Sequence, residues 1–366
     1  MVNTPETALA ITQELAADLV PIVSNEVIHA YETESELAHM WTPKTLRGTD
    51  TMVERVVGLA KPERIDWTER DKHAQAGAIG KVSYSLDYSG YVRHEEKNIS
   101  ALISDVNTLK ELAIEHGKAI AILYDTVIFV AMIHGTRMSA MTAQGGSIDA
   151  AVDLDKVIEA GGVAAFDAVA DESDVTEVVS KLRTMITWQK ARRRFSKMGT
   201  MLAVSYGLYN VLLDNDKLVS KFYSPNNGDY SQGEVSMFMG VPIVPLQLFQ
   251  HIQDLPGETA TGSVIVADGL SVSTADAEIR AILFEPSAVV VLEAMRPTST
   301  MFYEDMHKMN YIDTQFYFNA GVRRQDKLVG LYRQNAFLEY NESTEPDGIV
   351  GALSSGIINV TATAIV

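Results

Sequence analysis

A stripe of apolar residues at helical spacing, between Tyr91 and Met138, constrains the fold of this chain more than any other feature. It follows a strand-like segment that ends near Gly90, and Gly135 is suited to end a helix. One helix over this stretch would have about 35 to 40 residues and a length of about 55 to 60 Å, which predicts an extended subunit. The apolar positions lie three or four residues apart: Ile99, Leu102, Ile103, Val106, Leu109, Leu112, Ala113, Ile120, Leu123, Val127 and Ala131.

The same periodicity also fits two ordinary core helices that are broken near His116 and Gly117. The second half of the stretch, AIAILYDTVIFVAMIH, is apolar on nearly all sides, which predicts burial on both faces. Its most apolar part, from Ala119 to Ile133, is about 15 residues long and contains Asp125, which makes it too short and too polar for a membrane span. Periodicity leaves one long helix and two shorter helices equally open.

Composition narrows the class of protein. The chain has 366 residues, which is enough for two or three packed units, and it carries a formal net charge of -18. The lack of cysteine excludes disulfides, Cys-ligated zinc, iron–sulfur clusters and thiol catalysis, and it suits a reducing cytosol. Because phosphate neutralisation needs clustered Lys and Arg, the acidic balance argues against a dedicated nucleic-acid binder. Residues 1 to 25 lack the basic start and apolar run of a signal peptide.

The segments before the stripe predict an arm and a hairpin. Residues 1–50 contain two short helical patterns, separated at Pro21, whose apolar side chains have no partner of their own and would lie on a neighbouring subunit. Residues 51–94 contain two alternating strands that flank a charged stretch, KPERIDWTERDKHAQAGA. A two-stranded hairpin is marginal in water, so this one needs external support.

After the stripe, small residues predict a loop with short helices between Ser139 and Asp174. Residues 174–300 alternate helical and strand patterns and then give a run of strands, which predicts a mixed α+β unit. Residues 301–366 predict two or three further strands with a turn near Asn319 to Gly321, and the tail IINVTATAIV predicts one more strand.

No stretch predicts catalysis, a metal site or a cofactor. The phosphate-loop, dinucleotide and nucleophile-elbow motifs are missing from the sequence. The eight histidines are scattered, and His94-Glu95-Glu96 lacks the second histidine of a zinc motif. We therefore predict no catalytic residues and no metal-binding residues.

One basic cluster allows two interpretations. Beside aromatic residues it resembles a nucleic-acid patch. At a helix end the same cations would complement the helix dipole or pair with acids of another subunit, and this second interpretation is favoured. The cluster consists of Lys190, Arg192, Arg193, Arg194 and Lys197.

The order of these segments resembles the major capsid protein of tailed bacteriophages, which has the HK97-like fold, and most closely that of short-tailed, podovirus-type phages. The resemblance covers most of residues 45–335. The segments that carry it are YSGYVRHEEKNISALISDV, then LDNDKLVSKFYSPNNGDYSQGEVSMFMGVPIVPLQLF, and finally ILFEPSAVVVLEAMRPTSTMFYEDMHKMNYIDTQFYFNAGVRRQDKLVGLY.

The resemblance implies an α+β fold with one long spine helix and assigns a role to each segment. Residues 1–50 would be the N-terminal arm and 51–94 the extended E-loop hairpin. Residues 95–173 would hold the P-domain spine helix and a following loop. Residues 174–300 would be the A-domain, and 301–366 the returning P-domain strands with the C-terminal tail.

The implied function is structural. Such a subunit forms hexamers and pentamers of an icosahedral head around double-stranded DNA, without reading its sequence, and it resides in the virion capsid after assembly in the host cytoplasm. The implied partners are further copies of the chain, a scaffolding protein, a portal protein and a candidate cement protein, with no membrane. The alternatives are an encapsulin-type shell or an acidic α+β enzyme. The candidate contacts between subunits are Trp41, Lys61, Arg64, Trp67, Arg70, Lys72, Arg192, Arg193 and Arg194.

Overall fold

A computed structural model describes most of the chain, and its residues fall into two compact units that are each discontinuous in sequence. The first unit comprises Met1–Thr51, Ser85–Ile128 and Val291–Ala320, and the second comprises Met52–Tyr84, Phe129–Val290 and Gly321–Val366. The described residues are 5–47, 49, 51–57, 79–86, 89–96, 106–137, 162–166, 175–191, 199–214, 237–255, 263–267, 270–304, 309–324, 327–333 and 357–358.

The described residues form the following helices and strands. The helices are α1 (Pro5–Glu34), α2 (Val106–Arg137), α3 (Val175–Ala191), α4 (Tyr206–Leu213), α5 (Leu248–Asp254) and α6 (Thr274–Ala277). The strands are β1 (Lys44–Thr45), β2 (Thr51–Val57), β3 (Ile79–Ser85), β4 (Ser89–Glu96), β5 (Gly162–Phe166), β6 (Met201–Val204), β7 (Met237–Phe238), β8 (Val241–Pro245), β9 (Ser263–Ala267), β10 (Leu270–Ser273), β11 (Ile279–Phe284), β12 (Val289–Glu304), β13 (Met309–Val322), β14 (Leu328–Arg333) and β15 (Ile357–Ile358).

From Val106 onwards the apolar stripe folds as one continuous helix that passes through His116 and Gly117, so the prediction of a single spine is confirmed. Helix α2 has 32 described residues and a length of about 48 Å. The strand-like segment before it continues past Gly90 to Glu96 as β4. The candidate caps Asn98 and Ser100 lie outside the described residues.

Two glycines in α2 allow close approach of other elements and do not end the helix. A Cβ on Gly117 would lie 2.5 Å from the Ala30 Cβ and 2.7 Å from the Val27 carbonyl oxygen. A Cβ on Gly135 would meet the Leu328 side chain, and the helix continues to Arg137. The predicted end of the helix at Gly135 is therefore wrong.

The first unit packs two helices on one four-stranded sheet. Its strand order is β1-β12-β13-β4, and β13 runs antiparallel to β4 from Asn310↔Glu96 to Tyr317↔Ser89. The Tyr124 ring of α2 lies 5.3 Å from the ring of Tyr31 on α1 and 4.9 Å from that of Phe318 on β13. One face of the sheet is therefore covered by the helices of its own chain.

The second unit is built on a seven-stranded mixed sheet of order β15-β5-β14-β11-β6-β8-β7. Strand β6 pairs antiparallel with β11 and parallel with β8. Helix α3 contributes Val178, Leu182, Met185 and Ile186 to the core cluster, and each of them is fully buried. The predicted mixed α+β class is confirmed. A two-stranded sheet of β2 and β3 also belongs to this unit, as the sequence predicts for the hairpin.

Three local predictions differ from the structure. Helix α1 continues through Pro21, so the segment has one helix and not two. Strand β5 occupies part of the predicted loop, because its small residues pair in parallel with β14. The predicted turn near Asn319 to Gly321 lies inside β13. Gly321 is not a turn glycine there, because its missing side chain leaves room for the Tyr84 ring.

Helix α2 also has the length and composition of a membrane-spanning helix. The stretch from Lys110 to Thr136 meets that criterion, so its length does not exclude a span, contrary to the expectation from the sequence. However, 78% of its apolar 18-residue window is buried inside the chain itself, as in the core helix of a water-soluble protein.

Candidate intersubunit surfaces

The N-terminal segment is attached to its own chain from Val23 to Trp41. Val23, Val27 and Leu37 expose 3%, 0% and 0% of their surface, and Trp41 exposes 8%. The prediction that this segment lacks a partner in its own chain is therefore wrong for these residues. The side chains of residues 5–19 lie outside the described part of the chain.

A buried carboxylate on α2 holds the turn that follows α1. Asp125 Oδ1 accepts hydrogen bonds from the Ser35 hydroxyl at 2.5 Å and from the Leu37 amide at 3.3 Å. Its Oδ2 accepts from the Glu36 amide at 2.8 Å. Burial raises the pKa of Asp125 to about 6, against the three hydrogen bonds, which lower it. The turn after α1 therefore shields the Asp125 carboxylate from water, and the carboxylate in turn fixes the position of that turn.

A chain of hydroxyl groups links α1, both long strands and α2. The Ser24 hydroxyl accepts from the Ser299 amide at 3.2 Å, and the Ser299 hydroxyl lies 3.0 Å from that of Thr314. Thr314 in turn lies 3.0 Å from His116 Nδ1. Burial, and secondarily the nearby His94, lowers the pKa of His116, which favours the neutral ring in this chain.

The hairpin is attached to the end of β13 at its base. The Tyr84 hydroxyl of β3 donates to the Val322 carbonyl at 3.0 Å, and its ring lies over Gly321. Glu54 of β2 pairs with Arg323, with Oε1 and Nε 3.0 Å apart. Burial raises the pKa of Tyr84 far above its ordinary value, so its hydroxyl stays protonated. These contacts attach β2 and β3 to the end of β13.

The predicted contact residues mostly lie outside the described part of the chain. Only Trp41 can be placed, and it is buried in its own chain directly after the short helical turn Ala38–Met40. Lys190, from the basic cluster, donates to the Met239 carbonyl at 2.9 Å. The undescribed candidates are Lys61, Arg64, Trp67, Arg70, Lys72, Arg192, Arg193 and Arg194.

The structural roles of Asp125 and Gly117 were not predicted from the sequence. There, Asp125 argues only against a membrane span and Gly117 only for a helix break. A lone carboxylate in an otherwise apolar half of a helix needs buried hydrogen-bond donors, and that requirement was the available clue. Among the described residues, no group of three or more His, Asp or Glu side chains could hold a metal ion.

Comparison with known proteins identifies the fold. No family model matches the sequence, and no curated protein matches it. The mature capsid of bacteriophage PhiM1 matches with 18% identity and a TM-score of 0.65, over 82% of this chain and 87% of that one. The capsid of cyanophage P-SCSP1u matches with 14% identity and a TM-score of 0.61, over 80% and 86%. The structure of Gordonia phage Cozz matches with 16% identity and a TM-score of 0.50, over 83% and 85%.

These matches define the class to which the fold belongs, that of virus shell proteins. More particularly, the chain has the HK97-like capsid fold of tailed-phage major capsid proteins, as its sequence resemblance implies. At 14 to 18% identity the likeness establishes the fold, and the function is argued separately.

Proposed function

We propose that this chain is the major capsid protein of a tailed bacteriophage, without enzymatic activity. Its copies would form hexamers and pentamers of an icosahedral head that encloses double-stranded DNA. The observation that carries this proposal is the match to a mature phage capsid over 82% of the chain. A two-stranded hairpin in the same chain as a continuous 32-residue helix supports it, because such a hairpin is marginal in water without a neighbour.

In this proposal the segments keep the roles that the sequence resemblance implies. Residues 1–50 act as the arm, 51–94 as the E-loop, 95–173 as the spine region, 174–300 as the A-domain and 301–366 as the returning strands and tail. The burial of Trp41 makes it a support of its own arm, so the basic residues of the hairpin and of residues 192–194 are the stronger contacts.

The proposed partners are other copies of the chain, a scaffolding protein, a portal protein and a cement protein. Assembly would take place in the host cytoplasm. The phage would be of the short-tailed type. The net charge of -18 would keep the shell from binding the packaged DNA tightly. DNA and a portal in purified particles would separate a phage head from an encapsulin-type compartment, which houses enzymes.

Sedimentation velocity tests the proposal. We expect the 40.1 kDa chain to convert to large particles of narrow size distribution when its concentration is raised or a scaffolding protein is co-expressed. A chain that stays monomeric under both conditions would contradict it.

A matched pair of variants tests the hairpin. Replacing the four Lys and Arg residues of the charged stretch between its strands by Gln should reduce the fraction of chain in particles. As a control, Lys110 and Lys118 on α2, whose side chains are 46% and 40% exposed, are replaced in the same way and should leave assembly unchanged. The four residues of the test variant are Lys61, Arg64, Arg70 and Lys72.

A further inference from the structure

A buried histidine lies at one end of the chain of hydroxyl groups in the first unit. His116 of α2 is 4% exposed, and Ser299 of β12 and Thr314 of β13 are fully buried. The ring nitrogen Nδ1 lies 3.0 Å from the Thr314 hydroxyl oxygen, which lies 3.0 Å from that of Ser299. The Ser24 hydroxyl of α1 accepts from the Ser299 amide at 3.2 Å. The histidine ring is therefore connected to four elements through groups that are out of contact with water.

The hydrogen atoms of this chain fit a neutral ring. When Nδ1 carries no proton, the Ser299 hydroxyl can donate to Thr314 and the Thr314 hydroxyl to the ring, so each hydroxyl hydrogen has an acceptor. When Nδ1 carries a proton, the ring must donate to Thr314. The contact between Thr314 and Ser299 then uses only one of their two hydroxyl hydrogens, and the other has no acceptor among the contacts of the described residues. A buried donor without an acceptor is costly.

Two charged groups act on the ring from the sheet. His94 of β4 pairs with Ile312 of β13 and so lies on the same face as Thr314, which contacts the ring. Asp313 lies on the opposite face, where Arg93 donates to it at 2.8 Å. Burial and the charge of a protonated His94 lower the pKa of His116, against the smaller effect of Asp313. Other charged groups on the same elements form ion pairs: Glu26 with Lys110, Glu115 with Lys118, and Glu293 with Arg296.

We propose that His116 is an acid switch that controls how firmly the helices of the first unit are held on its sheet. At neutral pH the unprotonated Nδ1 accepts the last hydrogen bond of the hydroxyl chain. In acid, a proton from solvent binds Nδ1 and reverses the direction of that hydrogen bond. One hydroxyl hydrogen then loses its acceptor, and a positive charge is buried beside His94. The helices therefore separate from the sheet more readily in acid.

The pH dependence expected for His116 is opposite to that of Asp125. The stabilisation from neutral His116 is fully present above the ordinary pKa of 6.5 and is lost as the pH falls below it, towards the lowered folded-state pKa. The raised pKa of Asp125 instead favours the folded chain in acid. A comparison between the wild type and a variant at His116 cancels the contribution of Asp125, because both proteins contain that residue. The switch belongs to the single folded chain and is testable whether or not the chain assembles.

Urea denaturation of the unassembled chain between pH 5 and 8 tests the switch. In His116→Asn the amide oxygen can replace Nδ1 as an acceptor, and it does not titrate. Relative to this variant, the unfolding equilibrium constant of the wild type should rise as the pH falls, by at most about tenfold per pH unit for one group. His29→Asn, at an exposed position of α1, is the matched control and should keep the wild-type dependence. Parallel curves for the wild type and His116→Asn would overturn the proposal.

Hydrogen exchange gives a second readout, and its first part needs no variant. Exchange of the ring C2 hydrogen with deuterium in the wild-type chain, read by mass spectrometry of its peptides, reports the pKa of His116. We expect a midpoint below 6.5, and a midpoint at or above 6.5 would overturn the proposal. Between pH 7 and 5, the protection of the α1 and α2 amides should fall more in the wild type than in His116→Asn. An equal fall in both proteins would contradict the separation of the helices from the sheet.

Discussion

The N-terminal segment and the hairpin are both predicted to serve neighbouring subunits, yet their own chain holds them by different means. The N-terminal segment is held by buried groups: Asp125 is 3% exposed and Gly117 lies directly against Ala30. The hairpin is held by Tyr84 and by an ion pair in which the Glu54 side chain is 9% exposed and the Arg323 side chain 38%. Asp125 accepts from a hydroxyl and two amides, and burial raises its pKa, which makes the first attachment sensitive to pH. In the second attachment a cation accompanies the buried carboxylate.

The difference suggests that the N-terminal segment stabilises its own chain, whereas the hairpin contacts a neighbouring subunit. Helix α1 is joined to α2 by the packing of Tyr31 on Tyr124, and to β12 by the chain of hydroxyl groups. The C-terminal half of α1 therefore belongs to the core of the first unit. The described contacts of the hairpin lie at its base, where β2 and β3 meet the end of β13, which suits an element that adjusts to a neighbour. Four predictions test this contrast.

The largest expected effect is on the pH dependence of the N-terminal attachment. The folded-state pKa of Asp125, about 6, lies above the ordinary value of 3.8, so the folded chain binds this proton more tightly than the unfolded chain. The resulting stabilisation is fully present below pH 3.8 and is lost as the pH rises through about 6. A shift of this size corresponds to about 3 kcal/mol.

Urea denaturation of the unassembled chain between pH 4 and 7 measures this effect. The free energy of unfolding of the wild type, minus that of Asp125→Asn, should fall by about 2.5 kcal/mol over the range. Because Asn does not titrate, other carboxylates cancel in the difference. Parallel curves for the two proteins would show that Asp125 does not titrate as described.

Next in size is Gly117→Ala, which should destabilise the first unit by about 2 kcal/mol despite the higher helix propensity of alanine. The new methyl group would meet the Val27 carbonyl, which is main chain and cannot move alone. The matched control is Gly207→Ala in α4, where a Cβ meets nothing within 4 Å and no loss is expected. Equal stability of the two variants in thermal melts would contradict the close approach.

A smaller loss, about 1 to 2 kcal/mol, is expected for Gly321→Ala at the hairpin base. Here the obstacle is the Tyr84 ring, a side chain that can rotate. In a Tyr84→Ala background the same substitution should cost almost nothing, so a double-mutant cycle by urea denaturation isolates the contact. If Gly321→Ala destabilised the Tyr84→Ala variant as much as the wild type, the steric conflict would not involve the Tyr84 ring.

The smallest effect is expected for Tyr84→Phe, which removes only the hydrogen bond to the Val322 carbonyl. A loss of about 1 kcal/mol is typical of a single neutral hydrogen bond. Faster amide hydrogen exchange at the base of β3, with unchanged exchange in α2, would localise the effect. Faster exchange in α2 as well would mean that the hairpin base is part of a larger cooperative unit.

The sequence predicts the elements of this fold better than it predicts their boundaries and contacts. The spine helix, the hairpin and the α+β unit follow from hydrophobic periodicity, which is a local property. Gly117, Gly135 and Gly321 suggest breaks or turns, but each provides room for a distant part of the chain. The sequence alone does not reveal that distant partner. For the same reason the pairing of Asp125 with the turn after α1, about 90 residues away, was not predicted.

Electron microscopy of the purified protein tests the central claim most directly. We expect closed icosahedral shells in which the chain forms hexamers and pentamers. Dispersed monomers at high protein concentration, without shells of any size, would contradict it.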